Sequence, residues 1–126
     1  MTPTVLIVDD SKLARIVVGK ALAALRPDWK KQEAGNADEA LALIAAGEID
    51  VAILDFNMPG RNGLELAGEI RGAHPDMPIA LATANVQDEI IAQARVLNAS
   101  FIPKPITEDG LKGFLSGAAL KLRPRG

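Results

Sequence analysis

The chain has 126 residues, 48% of them hydrophobic, with 14 Lys plus Arg against 16 Asp plus Glu and a net charge of -2. This length and composition favour one domain over residues 1–126, and the near-balanced charge excludes an electrostatic footprint for direct nucleic acid or anionic membrane binding. The absence of Cys excludes disulfides and thiolate chemistry, and the single histidine, His74, is too little for a His-based zinc site.

No apolar run reaches the roughly 18 to 20 residues of a membrane-spanning helix, and the first residues do not have the basic-then-apolar pattern of a signal peptide. We therefore expect a cytoplasmic protein that does not associate with a membrane.

The first half of the chain alternates between strand and helix patterns. Residues 4–8, TVLIV, predict a buried strand, and residues 29–34, WKKQEA, predict a weak, alternating strand near a sheet edge. Ser11 is a candidate N-cap for the helix between them, which Pro27 ends. The apolar face that we assign to this helix contains Leu13, Val17, Ala21 and Ala24.

A second helix is predicted after residue 36, because Asn36 with Glu39 three residues later resembles a capping box. Leu41 and Ile44 are expected on its inner face. Gly47 follows the last helical residue, as glycine commonly does at helix ends.

The second half repeats the same alternation. Residues 51–55, VAILD, form the most apolar strand, and Leu64, Ala67 and Ile70 mark the helix after it. Residues 78–83 predict the fourth strand, followed by a helix from about Val86 to Leu97. Residues 100–105, SFIPKP, predict the last strand. Thr107 caps a final helix that extends to about Leu122, with an inner face of Leu111, Phe114, Leu115, Ala118 and Leu122.

Five strand-then-helix units predict an α/β fold, a doubly wound parallel sheet covered by helices on both faces. In such sheets the ligand site lies beyond the carboxyl ends of the strands, where strand order reverses. The polar residues expected at these strand ends are Asp9, Asp10, Asp55, Thr83 and Lys104.

Each of these residues alone has a simpler explanation as a helix cap, a turn residue or a solvated lysine. Together, three carboxylates would share one crevice with one lysine. Two unit charges about 4 Å apart repel by roughly 4 kcal/mol at an effective dielectric near 20. A hard cation with oxygen ligands would neutralise the cluster, and Mg²⁺ suits a site with few carboxylates.

Four motifs, LIVDDS, LDFNMPGRNGLEL, LATAN and FIPKP, are spread over most of the chain. Because of these four motifs, the chain resembles the receiver domain of two-component response regulators, close to the single-domain chemotaxis type. The resemblance implies a flavodoxin-like (β/α)5 fold with strand order 2-1-3-4-5, which is known for that family.

The resemblance also implies an acidic site that accepts a phosphoryl group. Asp55 matches the phosphoacceptor of the family, and Asp10 matches a direct Mg²⁺ ligand. Asp9 matches a ligand that acts through water, and Asn57 matches a residue whose backbone carbonyl binds the metal.

The remaining matches concern catalysis and switching. Thr83 and Lys104 match the hydroxyl and ammonium groups that bind phosphoryl oxygens, and the Lys104–Pro105 peptide bond matches one that is usually cis. Thr83 and Phe101 match the switch pair, in which the aromatic ring turns inward after phosphorylation. A fixed core residue is the alternative for Phe101.

By the same resemblance, the phosphoryl donor is a sensor histidine kinase or a phosphotransfer protein. The chain would catalyse its own phosphoryl transfer and dephosphorylation without being a metabolic enzyme. Its output would be a downstream protein target or output domain, recognised through the fourth helix, fifth strand and fifth helix, or a phosphorylation-dependent dimer.

Three alternatives remain open from the sequence. A phosphatase with a D-x-D-x-T motif would carry its aspartates after the first strand, whereas DFN follows the third. A flavin-binding protein would need a Ser/Thr/Gly phosphate loop where DDSKLA stands, and the chain has no Tyr. A receiver-like interaction module that no longer depends on phosphorylation is the third.

Overall fold

The computed structural model describes residues 2–84 and 87–122. The strands are β1 (Thr4–Val8), β2 (Lys30–Ala34), β3 (Val51–Asp55), β4 (Ile79–Thr83) and β5 (Ser100–Pro103). The helices are α1 (Lys12–Leu25), α2 (Ala37–Ala45), α3 (Gly63–Ala73), α4 (Asp88–Val96) and α5 (Glu108–Lys121). The strands pair in parallel in the order β2-β1-β3-β4-β5, which confirms the predicted fold.

The sheet is covered on both faces, as the continuous apolar strands predict. Side chains alternate along β1, so that Leu6 and Val8 join the core with α2, α3 and α4, whereas Val5 and Ile7 join the core with α1 and α5. Every residue of β3 and β4 is buried. Asp55 and Thr83, the last residues of these two strands, therefore lie at the buried centre of the sheet's carboxyl edge.

Strand β2 is the edge strand that the sequence predicts, but its side chains do not alternate between core and solvent. Residues 30–33 are all exposed, and Ala34 alone is buried. Lysines on an exposed edge discourage pairing with another chain.

The predicted caps of α1 and α5 are confirmed. The Ser11 side chain accepts a hydrogen bond from the Ala14 N–H, and the Thr107 side chain accepts one from the Gly110 N–H. Both contacts satisfy donors that a helix start would leave unpaired.

The capping box predicted at Asn36 is only half formed. Asn36 accepts from the Glu39 N–H, but the Glu39 carboxylate accepts from the Gly35 N–H instead of from the N-cap residue. A complete box stands at the start of α3, where Asn62 and Glu65 each accept from the other's backbone. It anchors the loop that follows Asp55.

The face assigned to α1 is wrong for three of its four residues. Leu13 and Val17 are 71% and 46% exposed, and Ala24 is also exposed. Ala21 is buried as predicted, and Val18 and Leu22 complete the buried face. Because apolar residues surround most of this helix, its sequence permits either face, and packing against α5 and the sheet selects the second.

Helix α4 begins at Asp88, and the predicted start at Val86 lies outside the described residues. The inner face predicted for α5 is confirmed, since Leu111, Leu115 and Ala118 are buried and Phe114 packs against the same core. Within the described ranges, no helix is long and apolar enough to cross a membrane.

Candidate functional site

The residues predicted at the strand ends meet at the carboxyl edge of the sheet. Asp9 follows β1, Asp55 and Thr83 end β3 and β4, and Lys104 follows β5. Asp9, Asp55 and Thr83 are 5%, 4% and 0% exposed, whereas Asp10 is exposed. The crevice therefore has a buried floor and one carboxylate at its rim.

Lys104 bridges the two buried carboxylates. Its Nζ lies 2.8 Å from Asp55 Oδ1 and 3.1 Å from Asp9 Oδ2. Burial alone would lower the pKa of Lys104, but hydrogen bonds and charge from Asp55 and Asp9 outweigh it, so this pKa is raised above 10.5. The lysine is therefore charged at neutral pH and offsets part of the negative charge.

The ionised form of Asp55 remains destabilised despite this partner. Burial raises the pKa of the Asp55 carboxyl above 3.8, and the charge of Asp9 adds to the increase. Contacts with Lys104 and with the Asn57 N–H, which lies 3.3 Å from Oδ1, only partly oppose it. A further cation near Asp55 would stabilise its charged form.

Asp9, Asp10 and Asp55 fit a divalent cation. One oxygen of each carboxylate lies within 4.8 Å of the others. An all-oxygen donor set open to solvent on the Asp10 side suits Mg²⁺, which retains several waters. Asn57 is exposed in the adjacent loop, and the role of its carbonyl as a ligand stays a prediction.

Thr83 and Lys104 are joined through the backbone, because the Lys104 N–H donates to the Thr83 carbonyl at 2.9 Å. The Lys104–Pro105 peptide bond is cis. Phe101 is half-buried on β5, opposite Leu81 of β4, so it is not an enclosed core residue. Its movement, and that of Thr83, stays a prediction.

The loop after Asp55 packs directly against the strand tip. The Gly63 N–H donates to the Phe56 carbonyl at 3.0 Å, and a Cβ at Gly63 would lie 2.2 Å from the Asp55 carbonyl oxygen. No side chain fits in that space. Gly63 therefore lets the start of α3 approach the backbone of the candidate phosphoacceptor.

A second cation near the acidic residues was missed by the sequence reasoning. Arg15 Nη1 donates to the Asp9 backbone carbonyl at 2.6 Å. The signal that points to it is position: long side chains near the start of a helix lean back toward its N-terminus, and here that end faces Asp9 and Asp10.

The large apolar residues that α1 exposes lie beside the site; we call them the α1 patch and define it as Leu13, Ile16 and Val17. A groove of about 400 Å³ runs from this patch along Pro105 to the edge of Asp9 and Lys104. Clustered exposed apolar residues of this kind mark sites of protein contact.

The chain belongs to the response regulator receiver domain family, whose model matches residues 5–115. A CheY chemotaxis homologue of Campylobacter jejuni is 36% identical over 111 residues, 85% of this chain and 85% of that protein. The cyclic di-GMP phosphodiesterase response regulator RpfG of Xanthomonas campestris is 38% identical over 124 residues. That match spans 94% of this chain and only 32% of RpfG.

Solved structures show the same likeness. The response regulator TrrA of Thermotoga maritima, solved in complex with Mg(2+)-BeF, superposes with a TM-score of 0.81 at 31% identity, covering 93% of this chain and 99% of that one. The Vibrio cholerae chemotaxis protein CheY4 gives a TM-score of 0.84 at 27% identity, covering 94% and 99%.

Proposed function

We propose that this receiver domain accepts a phosphoryl group on Asp55 from a phosphohistidine donor and passes the signal on by a change in protein binding. One observation carries the proposal: Asp55 is a buried carboxylate whose charge is only partly compensated, and it lies 2.8 Å from Lys104 in an open acidic crevice. Buried carboxylates without a task are rare because their desolvation is costly.

In the proposed reaction, an Asp55 carboxylate oxygen attacks phosphorus on the donor imidazole. The new O–P bond forms as the P–N bond breaks, and the imidazole leaves with the bonding electron pair. Lys104 places an ammonium group where charge develops on the phosphoryl oxygens. Attack by water on phosphorus would later release inorganic phosphate and restore the Asp55 carboxylate.

Asp9, Asp10 and Asp55, with the Asn57 carbonyl, are the proposed Mg²⁺ ligands. When bound, the ion would supply positive charge that lowers repulsion between the carboxylates and the incoming phosphoryl oxygens. The Mg(2+)-BeF complex of TrrA supports this assignment by likeness. The Thr83 hydroxyl completes the proposed set of phosphoryl contacts.

The α1 patch is the proposed docking surface for the donor. It borders the crevice through the groove that ends at Asp9 and Lys104, so a donor helix seated on it would hold a phosphohistidine near Asp55. Three apolar side chains at helical spacing suit the apolar face of another helix. The donor is then a sensor histidine kinase or a phosphotransfer protein.

The output is proposed to pass through the face formed by α4, β5 and α5. Thr83 ends β4, next to β5, and half-buried Phe101 lies on β5 itself, so a shift of Thr83 toward a phosphoryl group would reach this face first. A downstream protein or a second copy of the domain would bind there. We place the protein in the cytoplasm and take residues 1–126 as one receiver domain.

Uptake of phosphate from a small-molecule phosphodonor tests the proposal without a cognate kinase. Intact mass should increase by one phosphoryl group with Mg²⁺ present, and should not with a chelator or in Asp55→Asn. An interaction module that no longer depends on phosphorylation would show no increase under either condition.

A further inference from the structure

Arg15 links three elements beside the acidic crevice. From α1 its Nη1 reaches the Asp9 carbonyl at 2.6 Å, and its Nε pairs with Glu33 Oε1 on the edge strand β2 at 3.0 Å. The other Glu33 oxygen lies 3.5 Å from Lys31 Nζ. The Arg15 side chain is only 18% exposed, and its hydrogen bond to the Asp9 carbonyl is partly buried, whereas its bond to Glu33 is exposed.

With Arg15, every polar group of Asp9 has a partner. The Asp9 N–H donates to the Ala34 carbonyl at 3.1 Å, Oδ1 accepts from the Ser11 N–H at 2.9 Å, and Oδ2 accepts from Lys104 at 3.1 Å. The Asp9 carbonyl accepts from Arg15. Asp9 is therefore fixed by its own contacts.

Asp10 is in the opposite situation. Its carboxylate is exposed, and within residues 2–84 and 87–122 it has no hydrogen-bond or ion-pair partner. The Asp9 carbonyl belongs to the peptide unit that joins Asp9 to Asp10. A hydrogen bond to that oxygen fixes the plane of the peptide and the direction in which Asp10 leaves it.

We infer that Arg15 is a positioning residue for the metal site, which holds the Asp9–Asp10 peptide so that the Asp10 carboxylate meets the cation beside Asp9 and Asp55. This inference rests on the proposed function. Outer contacts of this kind orient metal ligands without touching the metal.

Electrostatics and positioning predict opposite effects of removing Arg15. A guanidinium near a cation site repels Mg²⁺, so loss of its charge alone would tighten binding. Loss of a positioning contact would weaken binding, because Asp10 would have to be ordered by the metal itself. The sign of the change therefore separates the two roles.

The test is calorimetric titration of Mg²⁺ into the full chain, without a phosphodonor. Arg15→Met should raise the Kd for Mg²⁺ about tenfold, the low end of what loss of an outer-sphere contact costs. Lys31→Met is the matched control, because it removes one positive charge beside Glu33 without touching Asp9. We expect its Kd to change by less than about twofold, since an exposed charge is screened.

An Arg15→Met variant that is folded and binds Mg²⁺ as tightly as the wild type, or more tightly, would overturn the inference. If it does not fold, Arg15→Lys takes its place, because one ammonium group cannot reach both the Asp9 carbonyl and Glu33 in the geometry of the guanidinium. Weaker Mg²⁺ binding by this variant supports the inference, and unchanged binding overturns it. A wild-type chain that binds no Mg²⁺ would instead overturn the proposed function, and the inference with it.

Discussion

At the scale of single residues, the geometry around Asp55 depends on a position that carries no side chain. Gly63 begins α3, and its Cα lies so close to the Asp55 carbonyl that a methyl group would overlap the backbone oxygen. Backbone cannot move away as the end of a flexible side chain can. The start of α3 and the tip of β3 therefore hold each other in place.

Gly63→Ala should lower the free energy of unfolding by about 2 kcal/mol or more, because overpacking in a well-packed region costs about 1–3 kcal/mol and here displaces backbone. Gly68→Ala is the control in the same helix. Nothing lies within 4 Å of the added methyl there, so it should stabilise the protein by roughly 0.5–1 kcal/mol. Urea unfolding of both variants gives the two values, and equal effects would contradict the close packing at Gly63.

The raised pKa of Asp55 predicts a pH dependence opposite to that of ordinary acid unfolding. A group whose pKa is higher in the folded state than the unfolded value of 3.8 stabilises the fold below that value, and the contribution is lost as pH rises through the folded pKa. In metal-free buffer, Asp55→Asn should therefore be more stable than the wild type near about pH 7. Lys104 does not contribute in this range, because its pKa is raised above 10.5.

The measurement is the difference in unfolding free energy between Asp55→Asn and the wild type as pH falls from about 7 to about 4. We expect the advantage of the Asn variant to shrink steadily. A difference that stays constant, or that grows toward low pH, would show that the Asp55 pKa is not raised.

At the scale of elements, α1 has two faces with different surroundings. Val18, Ala21 and Leu22 attach it to the core, and the α1 patch of Leu13, Ile16 and Val17 faces solvent beside the crevice. The exposed face is not needed for packing, so its substitution should affect recognition more than stability.

Leu13→Ser combined with Val17→Ser should slow phosphoryl transfer from a phosphohistidine donor about tenfold or more, because full burial of a Leu or Val side chain against a partner contributes about 1.5–3 kcal/mol. Uptake from a small-molecule phosphodonor should not change. Val96→Ser is the control, since Val96 is 85% exposed on α4. Equal transfer rates for the double variant and this control would remove the α1 patch from donor recognition.

At the scale of the whole molecule, most of the fold follows from two periodicities. Buried runs such as VAILD and IALAT have no polar face, which identifies strands of a parallel sheet covered on both sides, and the segments between them are long enough for crossover helices. Because ligand sites in such sheets lie beyond the carboxyl ends of the strands, the sequence also predicts one edge that contains Asp9, Asp55, Thr83 and Lys104, as the structure shows.

The rest was not predictable because it depends on contacts with no periodic signal. The apolar face of α1 is ambiguous in a helix with apolar residues all around. Arg71 is a second example, because its guanidinium donates to backbone carbonyls in the loop before β4 and in the loop after α4. Every residue has a backbone carbonyl, so no sequence pattern marks these acceptors. These acceptors belong to His74, Pro75, Met77, Leu97 and Asn98.

Direct mapping of the modified residue tests whether Asp55 itself carries the phosphoryl group. Protein treated with a small-molecule phosphodonor and Mg²⁺ is reduced with borohydride, which converts an aspartyl phosphate to homoserine, and its peptides are sequenced by mass spectrometry. We predict homoserine at residue 55 alone, with Asp9 and Asp10 unchanged. Homoserine at residue 9 or 10, or none in protein whose mass shows a bound phosphoryl group, would show that Asp55 is not the phosphoacceptor.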